Sequence, residues 1–421
     1  MVLIDGTSTQ GRAVTATKST LSTREPIPTA AWRMLALGIA AQAAGTVLIS
    51  TPAYLIPLLH LHRGLPLAQA GLLSAAPTFG MVLTLVAWGA VADRHGERGV
   101  IAGGLALTAV SAFAASAITG YVGLGVLLLL GGMAAASTNA ASGRVVVGWF
   151  PRSRRGLAMG IRQMSQPLGV AVAALAVPSL AEHLGIWAPL LLAGTLTAIL
   201  AAACAVGISN PPRPAAGAAN PSSAEQDRPA NPYNGNRFLA RIHLLSLLLV
   251  VPQFTLSTFG LVWLITGLHW NATAAGAVIA VAQFVGAIGR ILVGHLSDRV
   301  RSRVRVLRWV AISGVTTMLV LAAAGALHWS VIAAVMLIVA STVSVADNGL
   351  SYTSIAEASG PSWSGKALGI QNTGQFIAAS AVGPGIGALI AAVGYPVSFA
   401  LVALTPLAAI PLVPAADRHW D

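Results

Sequence analysis

Four ionisable side chains, Arg144, Arg162, Arg290 and Asp347, stand inside stretches of sequence otherwise apolar enough to lie in lipid. A charge at that depth costs about 2.5 to 3.5 kcal/mol on insertion scales, so each needs a partner, a proton or a guest. The guanidinium group keeps its charge and presents a fixed fork of donors that matches a carboxylate or a nitrate in two places. A buried carboxylate such as Asp347 either takes a proton or pairs with a nearby cation. Three positive groups against one negative favour an anionic guest. The structural alternatives are plain ones: Arg144 and Arg290 snorkel to an interface, Arg162 ties helices together, and Asp347 forms a static pair.

Neutral polar groups extend the pattern. Arg162 and Gln166 are four residues apart and share one helical face, as do Gln371 and Gln375. Two such stripes facing one another would line a cavity, while the alternative is ordinary bonding between helices at about 0.6 kcal/mol per contact. Tyr54, Gln253, Trp263 and Tyr352 are further candidates for fixing the orientation of a small guest. Asn139 and Asn348 are read as helix contacts. His60, His62, His269 and His328 have no metal-site spacing, and neither a metal nor a cofactor is expected. No Ser/His/Asp set, carboxylate pair or phosphate-binding loop supports an enzyme or an ATP-driven pump.

The elements that position these groups follow from composition. Of 421 residues, 56% are hydrophobic and 9% charged, whereas a soluble domain carries about 25% charged residues. The chain is an integral membrane protein, and its single cysteine, Cys204, rules out an intrachain disulfide. A bilayer-crossing helix needs about 20 apolar residues, and twelve runs qualify. The first six are 33–59, 67–92, 99–118, 121–148, 156–181 and 186–208; the second six are 239–266, 272–296, 304–326, 329–354, 365–392 and 394–414. The expected division is a tail at 1–32, a six-helix bundle at 33–208, a linker at 209–238, a second bundle at 239–414 and a tail at 415–421. The linker, rich in Pro, Asn, Ser and Ala, cannot bury itself or build a core.

The formal charge of +12 locates the chain in the membrane. All but four of the 24 Lys and Arg fall on one side if both termini are cytoplasmic, with Arg63 opposite and Arg144, Arg162 and Arg290 inside spans. Positive loops are retained in the cytoplasm, so both ends are expected there, in the cytoplasmic membrane. The basic residues then mark topology, which displaces nucleic acid as a partner.

The two halves repeat. One offset lays Gly71 on Gly276, Gly89 on Gly294, Asp93 on Asp298 and Arg94 on Arg299; a slightly longer one lays Asn139 on Asn348, Ser142 on Ser351 and Gln166 on Gln375. Internal repetition of this kind is how many transporters are built. Arg144, Arg162, Arg290 and Asp347 fall opposite uncharged residues, which separates them from the shared scaffold. Gly89 and Asp93 share a helix face, so the glycine admits a neighbouring helix while the carboxylate meets its positive N-terminal end. Arg94 and Arg98 would lock that contact, and Gly294, Asp298 and Arg299 form its echo. Such a gate must close in one state and break in another.

GAVADRHGER at Gly89–Arg98, its echo GHLSDRVRSR at Gly294–Arg303, WFPRSRRGLAMGI at Trp149–Ile161 and GPGIG at Gly383–Gly387 resemble the major facilitator superfamily along nearly the whole chain. The resemblance implies an all-α fold of twelve transmembrane helices in two pseudo-symmetric six-helix bundles, with a central cavity open to alternate sides. GRILVGHLSDR around Arg290 is similar to the eighth span of monocarboxylate transporters and of oxalate/formate and nitrate exchangers, in which an arginine at this place binds the anion. The acid that monocarboxylate carriers place four residues earlier is Gly286 here. The expectation is a secondary transporter for a small organic or inorganic anion, coupled to protons or working by exchange, acting as a monomer. Its substrate set is Arg290, Arg162, Gln166, Gln371, Gln375, Tyr54 and Tyr352, with Asp347 and Arg144 as proton-coupling or counter-ion groups. A proton-coupled exporter of drugs or lipophilic cations competes with it, although GIRQMSQPLG stands where that group carries a glycine-proline motif. A non-transporting membrane sensor is the alternative from another class.

Overall fold

A computed structural model describes residues 28–150, 158, 161–209, 231–234 and 237–418, apart from the side chains of 93, 143–148, 360–362 and 364–365. The described chain is helical throughout, because in lipid every backbone amide must be bonded within its own segment. The first half contains α1 (Thr29–Leu61), α2 (Leu67–His95), α3 (Glu97–Ala117), α4 (Tyr121–Trp149), α5 (Ser165–Leu184) and α6 (Trp187–Gly207). The second half contains α7 (Phe238–Val262), which runs into a π turn at Trp263–Gly267, then α8 (Ala272–Val300), α9 (Arg303–Ala326), α10 (Ser330–Ser344), α11 (Asp347–Val402) and α12 (Leu404–Ala409). Asn271 caps α8 by accepting from the Ala274 amide at 2.8 Å, and Ser302 caps α9 in the same way from Arg305 at 3.2 Å.

Eleven described helical stretches are long and apolar enough to cross a bilayer, the last being Lys366–Leu412 at 47 residues. At 1.5 Å per residue that stretch is about twice the hydrocarbon thickness. Gly394, with φ of 77°, turns the chain inside it, a conformation that an L side chain adopts only at a cost of about 1 to 2 kcal/mol. The turn divides the stretch into two crossings, and the total is twelve. The helices of each half pack mainly on one another, and the halves meet through α2 with α11 and α5 with α8.

Two features depart from the expected spans. The fifth, expected from 156, has helix at Ile161 and Arg162, a turn at Gln163–Met164 and then α5; residues 151–157 lie outside the described set. The tenth is interrupted halfway, at Val345–Ala346, between α10 and α11. Apolar runs report that a span exists but not where its backbone opens.

The two halves share their main apolar cluster at one end, and a smaller shared cluster of Met81, Ala136 and Phe376 lies farther along. Helices α1 and α7 end, and α2 and α8 begin, at the end opposite the basic loops; there Leu55, Leu59 and Leu73 join Leu256, Trp263 and Ile279 in one cluster. Toward the basic loops the apolar clusters separate by half, with Met34, Val100 and Ile208 in one and Leu239, Val304 and Ile355 in another. The closed end depends on backbones in contact: a Cβ placed on Gly71 would sit 2.1 Å from the Gly383 carbonyl oxygen, and one on Gly276 2.3 Å from that of Ala174. At the basic end a Cβ on Gly89 or Gly294 would meet nothing within 4 Å. The helices therefore form a V that is sealed opposite the basic loops and open toward them.

Candidate functional site

Beneath the seal lies a cavity of roughly 1210 Å³, part of it open to solvent, bounded by both halves. Helices α1, α2, α4 and α5 contribute Gln42, Tyr54, Ser74, Thr78, Asn139 and Gln166; α7, α8 and α10 contribute Gln253, Ser257, Gln283, Arg290, Ser341 and Ser344. The lining mixes apolar side chains such as Ile49, Met81, Val170 and Phe254 with amides and hydroxyls, and Arg290 is the cation among them. Phe376 reaches it from α11 and packs in a small cluster with Met81 and Ala136 of the other half.

Arg290 has no hydrogen-bond partner among the described residues, and its Nε is buried without one. The residue is half-buried on α8, about two turns deeper than Asp298 at the basic end. Gly289 leaves room beside it for the Thr342 side chain of α10, since a Cβ there would meet Thr342 Cγ2 at 2.5 Å. Arg290 lies in electrostatic range of Asp347 and Tyr352, yet no ion pair joins it to either. An arginine held at the wall of a polar cavity with its donors unused is equipped to hold an anion.

Arg162 is differently placed. Its Nε donates to Ser142 Oγ at 2.9 Å, and one terminal nitrogen reaches the Asn139 carbonyl at 3.3 Å and Asn139 Oδ1 at 3.4 Å. Ser142 in turn donates to Gln42 Oε1 at 3.1 Å. The second half carries a counterpart. Gln375 Nε2 donates to Ser246 Oγ at 2.9 Å and to Asn348 Oδ1 at 3.0 Å, and Asn348 Nδ2 donates to Gln253 Oε1 at 3.0 Å. Tyr352 donates to Gln375 Oε1 at 3.1 Å and bonds Asn372. Its hydroxyl is in electrostatic range of both Arg162 and Arg290. Each half thus carries a polar network, and Asn139 and Asn348, which the repeat matches, each bond within theirs, Asn139 also lining the cavity.

The polar stripes expected on spans five and eleven are only partly arranged as a pair. Gln166 is exposed on the cavity wall, whereas Gln371 is buried and bonds His243 Nδ1 through Oε1 at 2.8 Å. His243 stacks on Tyr233 and meets its hydroxyl at 3.0 Å through Nε2. Burial raises the Tyr233 phenol above its ordinary value. Tyr352 and Gln375 are in the network behind the wall, and Tyr54 is on the wall itself. Trp263 is fully buried against the edge of Phe399 and does not reach the cavity. Asp347 is also fully buried; Oδ2 accepts from Ser246 Oγ at 3.1 Å, and the Ser351 hydroxyl is beside the carboxylate. The Arg144 side chain lies outside the described residues.

At the basic end Asp298 pairs with Arg303 at 3.0 Å, and Arg303 forks onto Glu357 at 3.0 Å. Arg94, Arg98 and Arg299 are exposed there, and the side chain of Asp93 lies outside the described set. No group of three or more metal-binding side chains occurs among the described residues. Ser246, Gln42 and His243 were not singled out in the sequence. Only the repeat, through Ser142 and Asn139, pointed toward such networks.

The profile of the Major Facilitator Superfamily matches residues 34–384. The chain belongs to this superfamily. An uncharacterized MFS-type transporter of Mycobacterium tuberculosis is 44% identical over 385 residues, covering 91% of this chain and 85% of the relative. A protein of Oryza sativa named "Probable anion transporter 3, chloroplastic" is 30% identical over 167 residues, covering 38% of this chain and 31% of the relative. Among solved structures, a bacterial homologue of the human lysosomal transporter Spinster, inward-facing and unoccupied, matches with a TM-score of 0.69 at 15% identity, covering 92% of this chain and 95% of that one. Its inward-facing, occupied form gives 0.68 at 13% identity, with 90% and 93% covered. Both share the fold of this major facilitator, a multi-pass membrane transporter built for alternating access.

Proposed function

We propose that this transporter moves a small organic or inorganic anion across the cytoplasmic membrane, with Arg290 as its anion-binding group. The observation that carries the reading is the unbonded Arg290 guanidinium on the wall of a cavity shared by both halves. A drug or lipophilic-cation exporter would need an accessible acid in that wall, and the wall offers a cation with amides and hydroxyls. The partial similarity to a plant protein named as an anion transporter lies in the same direction. In this reading the bundles are 33–208 and 239–414, both termini are cytoplasmic, and the open end of the V faces inward. Gln166 and Tyr54 complete the lining, the Tyr352–Gln375 network supports it from behind, and motion of the halves about the glycine contacts exposes Arg290 to alternate sides. Arg94, Arg98, Asp298 and Arg299 belong to the gate that closes when the open end shuts.

Uptake into proteoliposomes of labelled formate, other monocarboxylates, oxalate, nitrate and cyanate, with and without a pH gradient, tests this. Arg290→Ala is expected to cut kcat/KM for the transported anion by about 30- to 150-fold, from the loss of about 2 to 3 kcal/mol in charge-assisted hydrogen bonds. Anion uptake indifferent to Arg290→Ala would remove the site; transport confined to cations would remove the class.

A further inference from the structure

The second half carries a charged pocket at its basic end, where α7 begins and the chain leaves its last crossing. The pocket measures about 700 Å³, part of it open to solvent, and shares no residue with the central cavity. Arg237 and Arg241, at the start of α7, belong to one wall; the segment 414–418, which contains Asp417 and Arg418, forms the other. Three guanidinium groups therefore line one space, contributed by two stretches of chain that are far apart in sequence.

Their donors are only partly spent. Arg241 Nε donates to the Leu412 carbonyl at 3.0 Å, and one terminal nitrogen donates to those of Pro411 and Val413 at 2.9 and 3.1 Å. These bonds fasten the chain end to α7, and the second terminal nitrogen makes none to the described residues. Arg237 is exposed at the N-cap of α7 and gives that helix no side-chain cap. Arg418 is partly buried, and its Nη1 is enclosed without a partner among the described residues. A charged donor shut away from water without an acceptor is unfavourable. Asp417, the acid of the pocket, turns Oδ1 to the Arg303 and Val304 amides of α9 at 3.0 Å each. It pairs with none of the three arginines, so the pocket keeps an excess of positive charge.

We propose that this pocket binds a phosphate group, carried by an anionic phospholipid of the leaflet at the basic end or by a soluble phosphate ester, and that the bound group fastens the segment 414–418 to α7. Guanidinium groups entering from two walls suit a tetrahedral oxyanion, whose acceptor oxygens point in several directions, better than a flat carboxylate or nitrate. The start of α7 adds its positive dipole end to the same space. Neither wall is a complete site, since α7 supplies two of the arginines and the chain end the third. A phosphate between them joins the walls on the solvent side, as Arg241 joins them through the carbonyls of 411–413. The site is independent of what the central cavity carries.

Full-length protein stripped of co-purified lipid in mild detergent is titrated with phosphatidylglycerol in one arm and with glycerol 3-phosphate and inorganic phosphate in the other. Native mass spectrometry counts the bound molecules, and thermal unfolding reads the rise in Tm that binding to the folded state produces. The soluble arm is run on Arg290→Ala, so that the central cavity contributes no cation. Saturable binding is expected in at least one arm; the lipid arm alone identifies a headgroup, the soluble arm alone a phosphate ester, and both together a site that reads the phosphate itself. Arg237→Gln combined with Arg418→Gln should weaken binding about 30-fold or more. Ala416→Glu, at an exposed position of the pocket wall, should do the same by setting a carboxylate against the phosphate. Arg305→Gln combined with Arg308→Gln removes equal charge from two exposed positions of α9 and should weaken binding by no more than about threefold. Arg241 is left intact because it holds the chain end, and gel filtration with the ligand-free Tm certifies each variant. Equal losses in the two double variants would reduce the binding to general surface charge and overturn the pocket. Binding unaffected by Ala416→Glu, or absent from both arms, would overturn it as well.

Discussion

At the scale of single residues, the two arginines that looked alike in sequence have different surroundings. Arg162 spends its donors on Ser142 and Asn139, and Arg290 spends none on the described protein. A charged hydrogen bond contributes about 1.5 to 3 kcal/mol net, so Arg162 is held as part of the wall and Arg290 is left for a guest. Ser142→Ala removes the acceptor of the Arg162 Nε and the donor to Gln42. It should lower stability by about 1.5 to 3 kcal/mol, read as a fall in Tm, while the KM for the anion stays within about threefold of wild type. A large rise in KM with an unchanged Tm would instead place Arg162 on the guest.

Elements are governed here by glycine more than by side-chain packing. Between helices in lipid, close approach of backbones supplies dispersion contact that bulky residues prevent. Gly71 and Gly383 let α2 and α11 touch, and Gly276 does the same for α8 against α5. A side chain at Gly71 would collide with the Gly383 backbone, which has no flexible end to yield. Gly71→Val is thus expected to part the sealed end and favour the opposite opening. A membrane-impermeant thiol reagent added from that side to a Tyr54→Cys reporter would measure it, with several-fold faster modification in the Gly71→Val background. The native Cys204 is buried and should contribute little. An unchanged modification rate would mean that these contacts do not hold the seal.

For the whole molecule, a main apolar cluster common to both halves, a small bridging one at Met81 and Phe376, and separate clusters beyond them make a hinge-like division. Rigid-body motion of two packed units suits this division, because each half keeps its own core while the shared contacts exchange. Met81 and Phe376 pack across the halves beside the cavity. Cysteines at both positions, joined by a short reducible bifunctional reagent, should reduce uptake about tenfold or more, with recovery on reduction. Uptake that persists after complete joining would show that the halves need not separate there.

The helical spans, the loop motifs and the placing of Arg162, Arg290 and Asp347 within them were legible in the sequence, since each follows from apolar run length, spacing or the cost of a charge in lipid. The repeat even brought Asn139, Asn348 and Gln375 forward before their bonds were visible. Side-chain direction was not legible: Gln166 and Gln375 share a register, yet one is on the cavity wall and the other is bonded to Ser246 and Asn348 behind it. The break before Asp347 was hidden because Val345 and Ala346 are as apolar as their neighbours. Composition and periodicity are properties of the chain taken a segment at a time, whereas a partner for Arg162, an unbonded guanidinium at Arg290 and the full burial of Asp347 exist only once distant segments are packed together.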